Sequence, residues 1–403
     1  MKRRVAVTGT GIITAHGIGK DINLKKLKDA VDSTGIIAAF NSEIYRGRRG
    51  GEVRDFIYAH PLKYLKPSRL DRASHLLIHA IREALSDSHL EDKISEKEVF
   101  VSLGTTLGGM ISGERYHAEI LKKGIKRARL SRMLDYLAQY QAFHLFREFN
   151  LEGQFMVFSN ACASGTNAVG AAFNAVRFGE AGIAIAAGYD TMSEFTFAGF
   201  NSLMAVTPEV CRPFDKNRNG LILGEGVGVL VLEELESASA RGANIIAEVI
   251  GYGESADAYH LTSPDPEGTG AAGAMAMALK DAGISGGKID YINAHGTGTP
   301  YNDIMEARAI KKVFGELAEK IFVSSTKPMV GHLLGGAGAV EAIFSIMAIK
   351  NSFIPVNLNC ASPDPECGLN ISREPVSADI KTIMSNSFGF GGSNASIILR
   401  EYR

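Results

Sequence analysis

The sequence of 403 residues has no tryptophan, only four cysteines and no hydrophobic run long enough to span a membrane. The cysteines show neither CxxC spacing nor clustering with histidines, so neither a disulfide framework nor a zinc site is predicted; they are Cys162, Cys211, Cys360 and Cys367. This usage indicates a reducing cytoplasm. The apolar stretch after the basic N-terminus, Val5 to Gly9, is short and typical of a buried strand, not of a signal peptide.

Neither sign of charge is in excess, because 43 basic residues stand against 44 acidic ones and the formal net charge is −1. The chain as a whole is therefore not drawn to nucleic acid or to an anionic membrane, and a charged partner has to bind a local patch. Phosphate-binding loops are also absent from the sequence. The turn Gly9-Thr10-Gly11 lacks the third glycine and the downstream acid of a dinucleotide site, and no GxxxxGK[ST] motif occurs.

What the sequence does have is glycine, at 44 positions, many of them where β-type apolar runs meet helical runs. This pattern is typical of an α/β fold, and the length allows two core-bearing units. The predicted strands are 5–8, 99–103, 155–158, 183–187, 227–232, 247–251, 291–294, 321–324, 383–387 and 395–400. The predicted helices are 72–86, 165–178, 270–282, 304–314 and 337–350.

A faint internal duplication runs along the chain. The stretch from Val157 to Cys162, followed by a small-residue helix, is echoed by Val323 to Lys327, followed by Gly335 to Ala339. Two similar halves, 1–245 and 246–403, would place these turns against each other across a pseudo-twofold axis. The alternative is an ordinary α/β chain, since helices rich in glycine and alanine recur in such folds.

Cys162 lies in the turn Ser159-Asn160-Ala161-Cys162-Ala163-Ser164-Gly165, which opens an apolar helical run. Unpaired N–H groups and the helix macrodipole can hold a thiol at such a helix start as thiolate, which makes Cys162 a candidate nucleophile. The alternative is a buried structural cysteine that behaves as a small apolar residue.

Three further glycine-rich loops have polar tips typical of active sites. They are 293–300 with His295, 325–332 with Lys327 and His332, and 386–394 with Phe390. A thiol with two histidines suits a metal site, a hydrolase or a carbon–carbon bond-forming enzyme. Zinc is disfavoured because no pair has ligand spacing and no carboxylate is placed to orient the imidazoles, and the sequence around the cysteine is not that of a papain-like hydrolase.

With these four motifs together, the chain resembles the β-ketoacyl-acyl-carrier-protein synthases of the elongating Cys-His-His type, closest to the synthase II branch, from Val5 to Leu399. The resemblance implies an α/β thiolase fold, with duplicated halves forming a five-layered αβαβα sandwich. It also implies a decarboxylative Claisen condensation, in which an acyl group held on Cys162 reacts with malonyl-acyl-carrier protein in fatty-acid or related acyl-chain synthesis. No metal and no cofactor of its own are implied, since the substrates are bound to phosphopantetheine.

The same resemblance assigns roles to individual residues. Cys162 matches the acyl-accepting nucleophile, and His295 and His332 match the pair that serves malonyl decarboxylation, supported by Lys327. Phe390 matches the residue whose N–H joins that of Cys162 in the oxyanion hole and whose ring gates the malonyl side. The remaining matches are Thr297 and Thr299 for the phosphopantetheine arm, Leu107 and Phe200 for the acyl pocket, Gly391 in the gate loop as a further substrate-binding residue, and Glu341 beside the lysine.

Acyl carrier protein is the partner that the resemblance implies, and because it is acidic we expect a basic patch at the entrance. The candidate docking residues are Lys66, Arg69, Arg72, Lys126, Arg127 and Arg129. A homodimer is expected, with a heterodimer as the alternative. A non-catalytic chain-length partner subunit shares the fold but is expected to lack the nucleophile, and a degradative thiolase would carry a second cysteine where Phe390 stands.

The sequence departs from the family pattern in two places. Segment 111–151 lacks the usual proline-bearing run and carries aromatic residues instead, and we expect it to be an excursion packed on the core where the acyl tunnel is shaped. The second departure is Pro300-Tyr301-Asn302-Asp303, where many elongating synthases carry a small residue and Gly-Asp. Acyl chain length and type are therefore left open by the sequence.

Overall fold

The structure, a computed structural model, describes residues 2–57 and 61–403. Within these residues the strands are β1 (Val5–Thr14), β2 (Gly17–Ile18), β3 (Gly35–Ile36), β4 (Arg49–Gly51), β5 (Glu98–Gly104), β6 (Glu152–Phe158), β7 (Ile183–Asp190), β8 (Leu223–Gly224), β9 (Gly226–Glu234), β10 (Ala247–Ala256), β11 (Tyr291–Asn293), β12 (Phe322–Ser324), β13 (Phe353–Ile354), β14 (Asn370–Ile371), β15 (Val376–Ser377), β16 (Thr382–Phe388) and β17 (Ser393–Arg400). The helices are α1 (Lys20–Lys28), α2 (Arg72–Asp87), α3 (Met110–Lys123), α4 (Ser131–Tyr136), α5 (Ala138–Phe149), α6 (Ser164–Arg177), α7 (Glu194–Ser202), α8 (Leu235–Ala240), α9 (Thr269–Ala282), α10 (Pro300–Phe314), α11 (Lys327–Val330) and α12 (Ala337–Asn351).

The first half of the main sheet has the strand order β6-β5-β7-β9-β1. In it, β5 pairs in parallel with both β6 and β7, whereas β9 runs antiparallel to β7 and to β1. The second half repeats this pattern with the order β12-β11-β16-β17-β10. There, β11 is parallel to β12 and β16, and β17 is antiparallel to β16 and β10. The repeated order and polarity confirm the predicted duplication.

The two half-sheets meet at one antiparallel join, in which Val5 to Val7 of β1 pair with Ala247 to Val249 of β10. Helices α6 and α12 contact each other and the strands of both half-sheets, so they form a central layer between them. Helix α2 covers the outer face of the first half-sheet, and α9 with α10 covers the outer face of the second. The result is the predicted stack of helix, sheet, helix, sheet and helix.

Burial explains why these segments adopt these elements. Helix α12 is buried from Ala337 to Ile349 and is apolar on nearly every face, as a helix between two sheets must be. Helix α2 lies in an outer layer and is amphipathic, and the Asp71 carboxylate caps its start by accepting from the Ala73 N–H. All ten predicted strands and all five predicted helices correspond to observed elements. The largest extension is β1, which continues to Thr14 because every residue of the strand is buried and Gly9 and Gly11 allow α2 to pack directly against it.

Segment 111–151 forms most of α3, with α4 and α5, beside the first half-sheet. Helix α5 packs on α2 and β6, and α3 packs on α4. The Gly108-Gly109 turn before α3 lies directly against the backbone of Asp135 and Tyr136. Segment 111–151 thus packs against the turn that directly follows Leu107. No helix within the described residues combines the length and apolarity needed to cross a bilayer.

Candidate active site

Cys162 sits in a tight turn between β6 and α6. The residue before it, Ala161, has φ 56°, a left-handed conformation that costs a non-glycine residue about 1 kcal/mol or more. The turn is a single 3₁₀ turn from Ala161 to Ala163, after which α6 begins at Ser164. The sulfur is therefore presented at the start of a helix, as the sequence indicates.

Both loop histidines lie beside this sulfur. The Nε2 atom of His332 is 3.1 Å from Sγ of Cys162. The rings of His295 and His332 are 5.2 Å apart and nearly perpendicular, at 82°. One nitrogen from each imidazole and the sulfur all lie within 4.8 Å of one another. Residues 162, 295 and 332, far apart in the chain, thus form one cluster.

The ring of His332 and the loop of His295 are each held by hydrogen bonding of backbone N–H groups. The Leu334 N–H donates to Nδ1 of His332 at 3.1 Å, so the proton of the neutral ring is on Nε2, which faces the sulfur. The loop of His295 is held by the carboxylate of Glu306 on α10, which accepts from the N–H groups of His295 and Gly296 at 2.8 Å each. The His332 ring and the His295 loop are thus positioned by groups outside the reacting cluster.

Burial sets the charge state of the cluster. It is the main cause that lowers the pKa of His295 and His332 well below the ordinary value, and the nearby positive charge of Lys327 lowers both further. Both rings are therefore neutral at physiological pH. Burial also raises the pKa of the Cys162 thiol to about 11, although the charge of Lys327 and the backbone N–H groups of Phe390 and Cys162 lower it in part. Desolvation is thus the largest influence on the thiol, and the N–H groups favour the thiolate against it.

Two backbone N–H groups face the Cys162 sulfur, those of Cys162 and Phe390. They converge because the loop after β16 crosses close to the cysteine turn. At Gly389 a β-carbon would lie 3.1 Å from the Cys162 nitrogen, so the approach suits glycine. Paired N–H groups of this kind form an oxyanion hole for a thioester carbonyl.

Lys327 and Glu341 form a buried ion pair, with Nζ 2.6 Å from Oε1. They lie behind the histidines and do not line the cavity that leads to Cys162. The lysine therefore acts on the imidazoles by charge alone.

A cavity of about 340 Å³ opens beside Cys162, His295 and His332. Thr297 and Thr299 line it, and their hydroxyl groups are 2.8 Å apart. Phe200 and Phe390 also line it and stack on each other, with ring centroids 5.6 Å apart.

Two predicted substrate residues lie outside this cavity lining. Leu107 is buried in an apolar cluster with Phe200. Gly391 donates its N–H to the Leu261 carbonyl at 2.8 Å and has φ 81°, a conformation that favours glycine.

The predicted docking residues separate into two groups. Lys66, Arg69 and Arg129 line one surface cavity of about 660 Å³, together with Arg115 and Arg147. Lys126 and Arg127 lie exposed on a neighbouring 3₁₀ turn.

Arg72 is the exception among them. Its guanidinium binds both carboxylate oxygens of Glu225, at 2.7 and 3.0 Å, and the Val53 carbonyl at 2.7 Å. Arg72 therefore has an internal structural role, and its place in the docking patch stays a prediction.

The sequence analysis missed two buried carboxylates that accept hydrogen bonds from loops of the site, Glu306 and Asp190. Glu306 follows His295 by less than a dozen residues on the next helix, and burial raises its pKa to about 7. Asp190 ends β7 directly after an apolar run. The available signal was a carboxylate at the carboxyl end of a buried parallel strand.

Comparisons with known proteins agree on one family. The descriptions "Beta-ketoacyl synthase, N-terminal domain" and "Beta-ketoacyl synthase, C-terminal domain" match residues 2–238 and 246–361. The 3-oxoacyl-[acyl-carrier-protein] synthase 2 of Staphylococcus aureus is 38% identical over 408 aligned residues, which cover 99% of each chain. The Synechocystis sp. protein of the same name is 39% identical over 411, covering 100% of this chain and 99% of the relative. The solved ishigamide ketosynthase/chain length factor superposes with a TM-score of 0.94 at 35% identity, covering both chains fully.

Proposed function

Because the chain belongs to the β-ketoacyl synthase family, we propose that it lengthens acyl chains by decarboxylative condensation with malonyl-acyl-carrier protein, each residue of the cluster taking a defined role. It is a condensing acyltransferase of fatty-acid synthesis, and its substrates are thioesters of carrier-bound phosphopantetheine. The observation that carries the residue roles is the approach of His332 Nε2 to Cys162 Sγ at 3.1 Å beneath two converging N–H groups.

In the first half-reaction, the sulfur of Cys162 attacks the thioester carbonyl of the acyl donor. A new C–S bond forms, the old C–S bond breaks, and the thiol proton leaves with the carrier thiol. The N–H groups of Cys162 and Phe390 stabilise the oxyanion, and the loss of such a donor costs about 3–4 kcal/mol. The Nε2–H of His332 stabilises the sulfur as it becomes anionic.

In the second half-reaction, the malonyl thioester loses CO₂ and becomes an enolate. The two neutral imidazoles donate N–H hydrogen bonds toward the enolate oxygen without protonating the carbanion, which a charged imidazolium would do. The carbanion attacks the acyl carbonyl on Cys162, the C–S bond breaks, and the β-ketoacyl product leaves on the carrier. The cysteine regains a proton from solvent.

The acyl-enzyme is the test of this proposal. Incubation with an acyl-carrier thioester should add the acyl mass to the peptide that contains Cys162, and addition of malonyl carrier should remove it. Cys162→Ser should show no mass shift, because a hydroxyl is a far weaker nucleophile than a thiol. Cys211→Ser is the matched control, since Cys211 is buried with its thiol donating to the Thr297 carbonyl. Acylation of a residue other than Cys162 would refute the assignment.

Carrier docking is assigned to the cavity cations Lys66, Arg69 and Arg129 and to the exposed Lys126 and Arg127. Charge complementarity with an acidic carrier supports this choice. Arg69→Glu with Lys126→Glu should raise KM for carrier-bound substrate at least about tenfold at low salt and reduce its salt dependence. KM for a carrier-free acyl thioester should stay unchanged. Lys350→Glu on the far end of α12 is the control, and equal effects of both changes would reject the patch.

A homodimer formed through the free edge of β6 is the assembly we favour. Phe155 and Met156 of this edge strand are each 47% exposed, and their backbone is unpaired on that side within the described chain. Phe155→Asp should yield monomers in sedimentation velocity, whereas Ile44→Asp, at an exposed apolar residue in a loop, should not. Dimers in the first variant would place the interface elsewhere.

The second candidate is a subunit paired with a chain-length partner. The observation behind it is the likeness to a ketosynthase/chain length factor structure at 35% identity. Cys162, His295 and His332 favour the catalytic member of such a pair over the non-catalytic one. Expression of the chain alone distinguishes the two candidates, because full condensing activity of the isolated chain excludes an obligatory partner.

Two further proposals concern domain organisation and location. The division into 1–245 and 246–403 is supported by the repeated strand order. A cytoplasmic location is supported by the four free, buried cysteines.

A further inference from the structure

One buried carboxylate ties together two segments that border the active site. Asp190 ends β7 and has no solvent exposure. Its Oδ1 accepts hydrogen bonds from the Thr105 hydroxyl at 2.6 Å and the Leu107 N–H at 2.9 Å. Its Oδ2 accepts from the N–H groups of Thr106 at 2.9 Å and Gly335 at 2.7 Å. Each carboxylate oxygen thus accepts two hydrogen bonds, which is the full capacity of an ionised carboxylate.

The first tied segment, Thr105 to Leu107, follows β5. The side chain of Leu107 belongs to an apolar cluster that also contains Leu334 and is packed against by Phe200, a residue of the substrate cavity. The position of this segment therefore helps to set the shape of the apolar wall beside Cys162.

The second tied segment is the turn before α12 that contains Gly335. Its Leu334 N–H is the group that donates to Nδ1 of His332 and so keeps the ring proton on Nε2. Leu334 has φ 52°, a strained conformation for a residue with a side chain, and it persists only if neighbouring contacts hold it. The hydrogen bond from Gly335 to Asp190 is one such contact, one residue away.

We propose that Asp190 is a positioning residue for both half-reactions, holding Leu107 in the apolar cluster that supports the cavity residue Phe200 through Oδ1 and the His332 turn through Oδ2. The inference rests on the condensing function proposed above. It adds that one carboxylate sets two properties of the enzyme, the acyl groups that Cys162 accepts and the ability of His332 to donate toward the enolate.

The chemistry of the four donors predicts different outcomes for two substitutions. In Asp190→Asn the amide oxygen can serve only one pair of donors. The amide nitrogen suits the Thr105 side, because the Thr105 hydroxyl can also accept, as it already does from the Gly108 N–H. The bonds to Thr106 and Gly335 then survive, and the Leu107 N–H loses its acceptor. In Asp190→Ala all four hydrogen bonds are lost.

Asp190 also affects the sulfur through its charge. Its negative charge raises the pKa of Cys162, whereas the ammonium of Lys327 lowers it, and the facing His295 and His332 are neutral. Removal of the carboxylate charge should therefore make the thiol easier to ionise. Alkylation of Cys162 by iodoacetamide as a function of pH reports this change without any carrier protein.

The experiment compares Asp190→Asn and Asp190→Ala with Glu83→Gln, in the full chain and with melting temperature recorded for each. Glu83 is a matched control because its oxygens accept from the Ile12 and Lys20 N–H groups at 2.8 Å each, on outer-layer helix α2. Three readouts are taken: the alkylation profile, the rate of Cys162 acylation across a series of acyl chain lengths, and the rate of CO₂ release from malonyl carrier.

We expect Asp190→Asn to shift alkylation to lower pH and to change the acyl-length preference, while CO₂ release stays within about twofold of the parent enzyme. Asp190→Ala should in addition lower CO₂ release by about tenfold or more, because the His332 turn is released. Glu83→Gln should change none of the three. If either Asp190 variant does not fold, Thr105→Val, which removes one Oδ1 donor and the acceptor of the Gly108 N–H, must still alter the acyl-length preference.

An unchanged acyl-length preference in Asp190→Asn or Thr105→Val overturns the inference, as do losses shared with Glu83→Gln. Lack of CO₂ release by the parent enzyme refutes the condensing function instead. In that case a shifted alkylation profile in Asp190→Asn still supports the electrostatic effect of the Asp190 carboxylate on the Cys162 sulfur. The failure of the condensing function and the failure of the inference are therefore distinguishable.

Discussion

The ammonium of Lys327 lies 2.6 Å from a carboxylate oxygen of Glu341, and only 2% and 4% of the two side-chain surfaces are exposed. Because the pair is removed from water, the field of the lysine reaches the imidazoles of His295 and His332 with little screening. The positive charge disfavours protonation of both rings and lowers their pKa. The lysine thereby protects the carbanion from a proton donor beside it.

Substitution of Lys327 should lower the free energy of unfolding, because it leaves a buried carboxylate without a cation. Lys327→Met leaves Glu341 without its cation and should lower the free energy of unfolding by about 3–5 kcal/mol in urea denaturation. The double variant Lys327→Met with Glu341→Leu should regain most of this loss. Lys381→Ala, at the exposed pair with Asp379, serves as control and should leave the midpoint unchanged. Equal losses in the single and double variants would show that the pair is not coupled.

The buried neutral ring of His16 should contribute a loss of stability as pH falls. The pKa of His16 is lowered to about 3 by burial, so this ring stays neutral in the fold but takes a proton in the unfolded chain below about pH 6.5. Between pH 7.5 and 5.5 it should cost about 1.4 kcal/mol of stability. Glu306, with its pKa raised to about 7, acts in the opposite direction over this range.

The contribution of His16 is isolated by comparing His16→Phe with the parent protein at both pH values. The variant should lose less stability on acidification, by the amount given above. NMR of the imidazole resonances should meanwhile show no titration of His295 and His332 between pH 5.5 and 8. A charged ring at pH 7 would contradict the decarboxylation mechanism.

The thiol and two imidazoles should act as an inhibitory zinc site and not as a required one. The three donor atoms lie within 4.8 Å, a set that suits zinc, but Nε2 of His332 carries a proton that a metal ion must displace. Micromolar Zn²⁺ should therefore inhibit condensation and protect Cys162 from alkylation. Mg²⁺, which prefers oxygen ligands, should do neither. Loss of activity in EDTA that Zn²⁺ restores would contradict this prediction.

Gly296 should not tolerate a side chain. Its φ is 37°, and a β-carbon there would lie 2.5 Å from Cβ of Ser325. Gly296→Ala should displace the His295 loop and lower kcat at least about tenfold. Acylation of Cys162 should change much less, because the sulfur belongs to another loop. Gly182→Ala, where a β-carbon meets open space, is the control, and identical kinetics for both variants would contradict the prediction.

Much of the fold could be predicted from local pattern. The apolar runs between glycines identify the strands, because strands buried on both faces need continuous apolar sequence. The reacting residues could also be predicted, since Cys162, His295 and His332 each sit in a glycine-rich loop that follows a predicted strand, with the short helix α11 between the strand and His332. Each of these motifs is about ten residues long, so the local sequence is enough to identify the reacting residue.

Contacts between residues far apart in the chain could not be predicted from the sequence. The donors that meet at Asp190 lie 83 to 145 residues away from it, so no local spacing indicates them. Arg72 lies in a basic stretch, and only the fold brings it to Glu225, 153 residues away. The charge state of Cys162 depends on the depth of its burial between two half-sheets, which outweighs the helix start that the sequence indicates.

The left-handed residue Ala161 has a counterpart in the second half of the chain. Leu334 stands at the same distance before α12 as Ala161 before α6, and both have positive φ. Between β12 and Leu334, however, the chain is longer than between β6 and Ala161, and the extra residues carry Lys327 and His332. The short turn of the first half presents the sulfur, while the longer turn of the second half supplies the imidazole and the cation that act on it. The two halves therefore share one architecture but contribute different chemical groups to a single site.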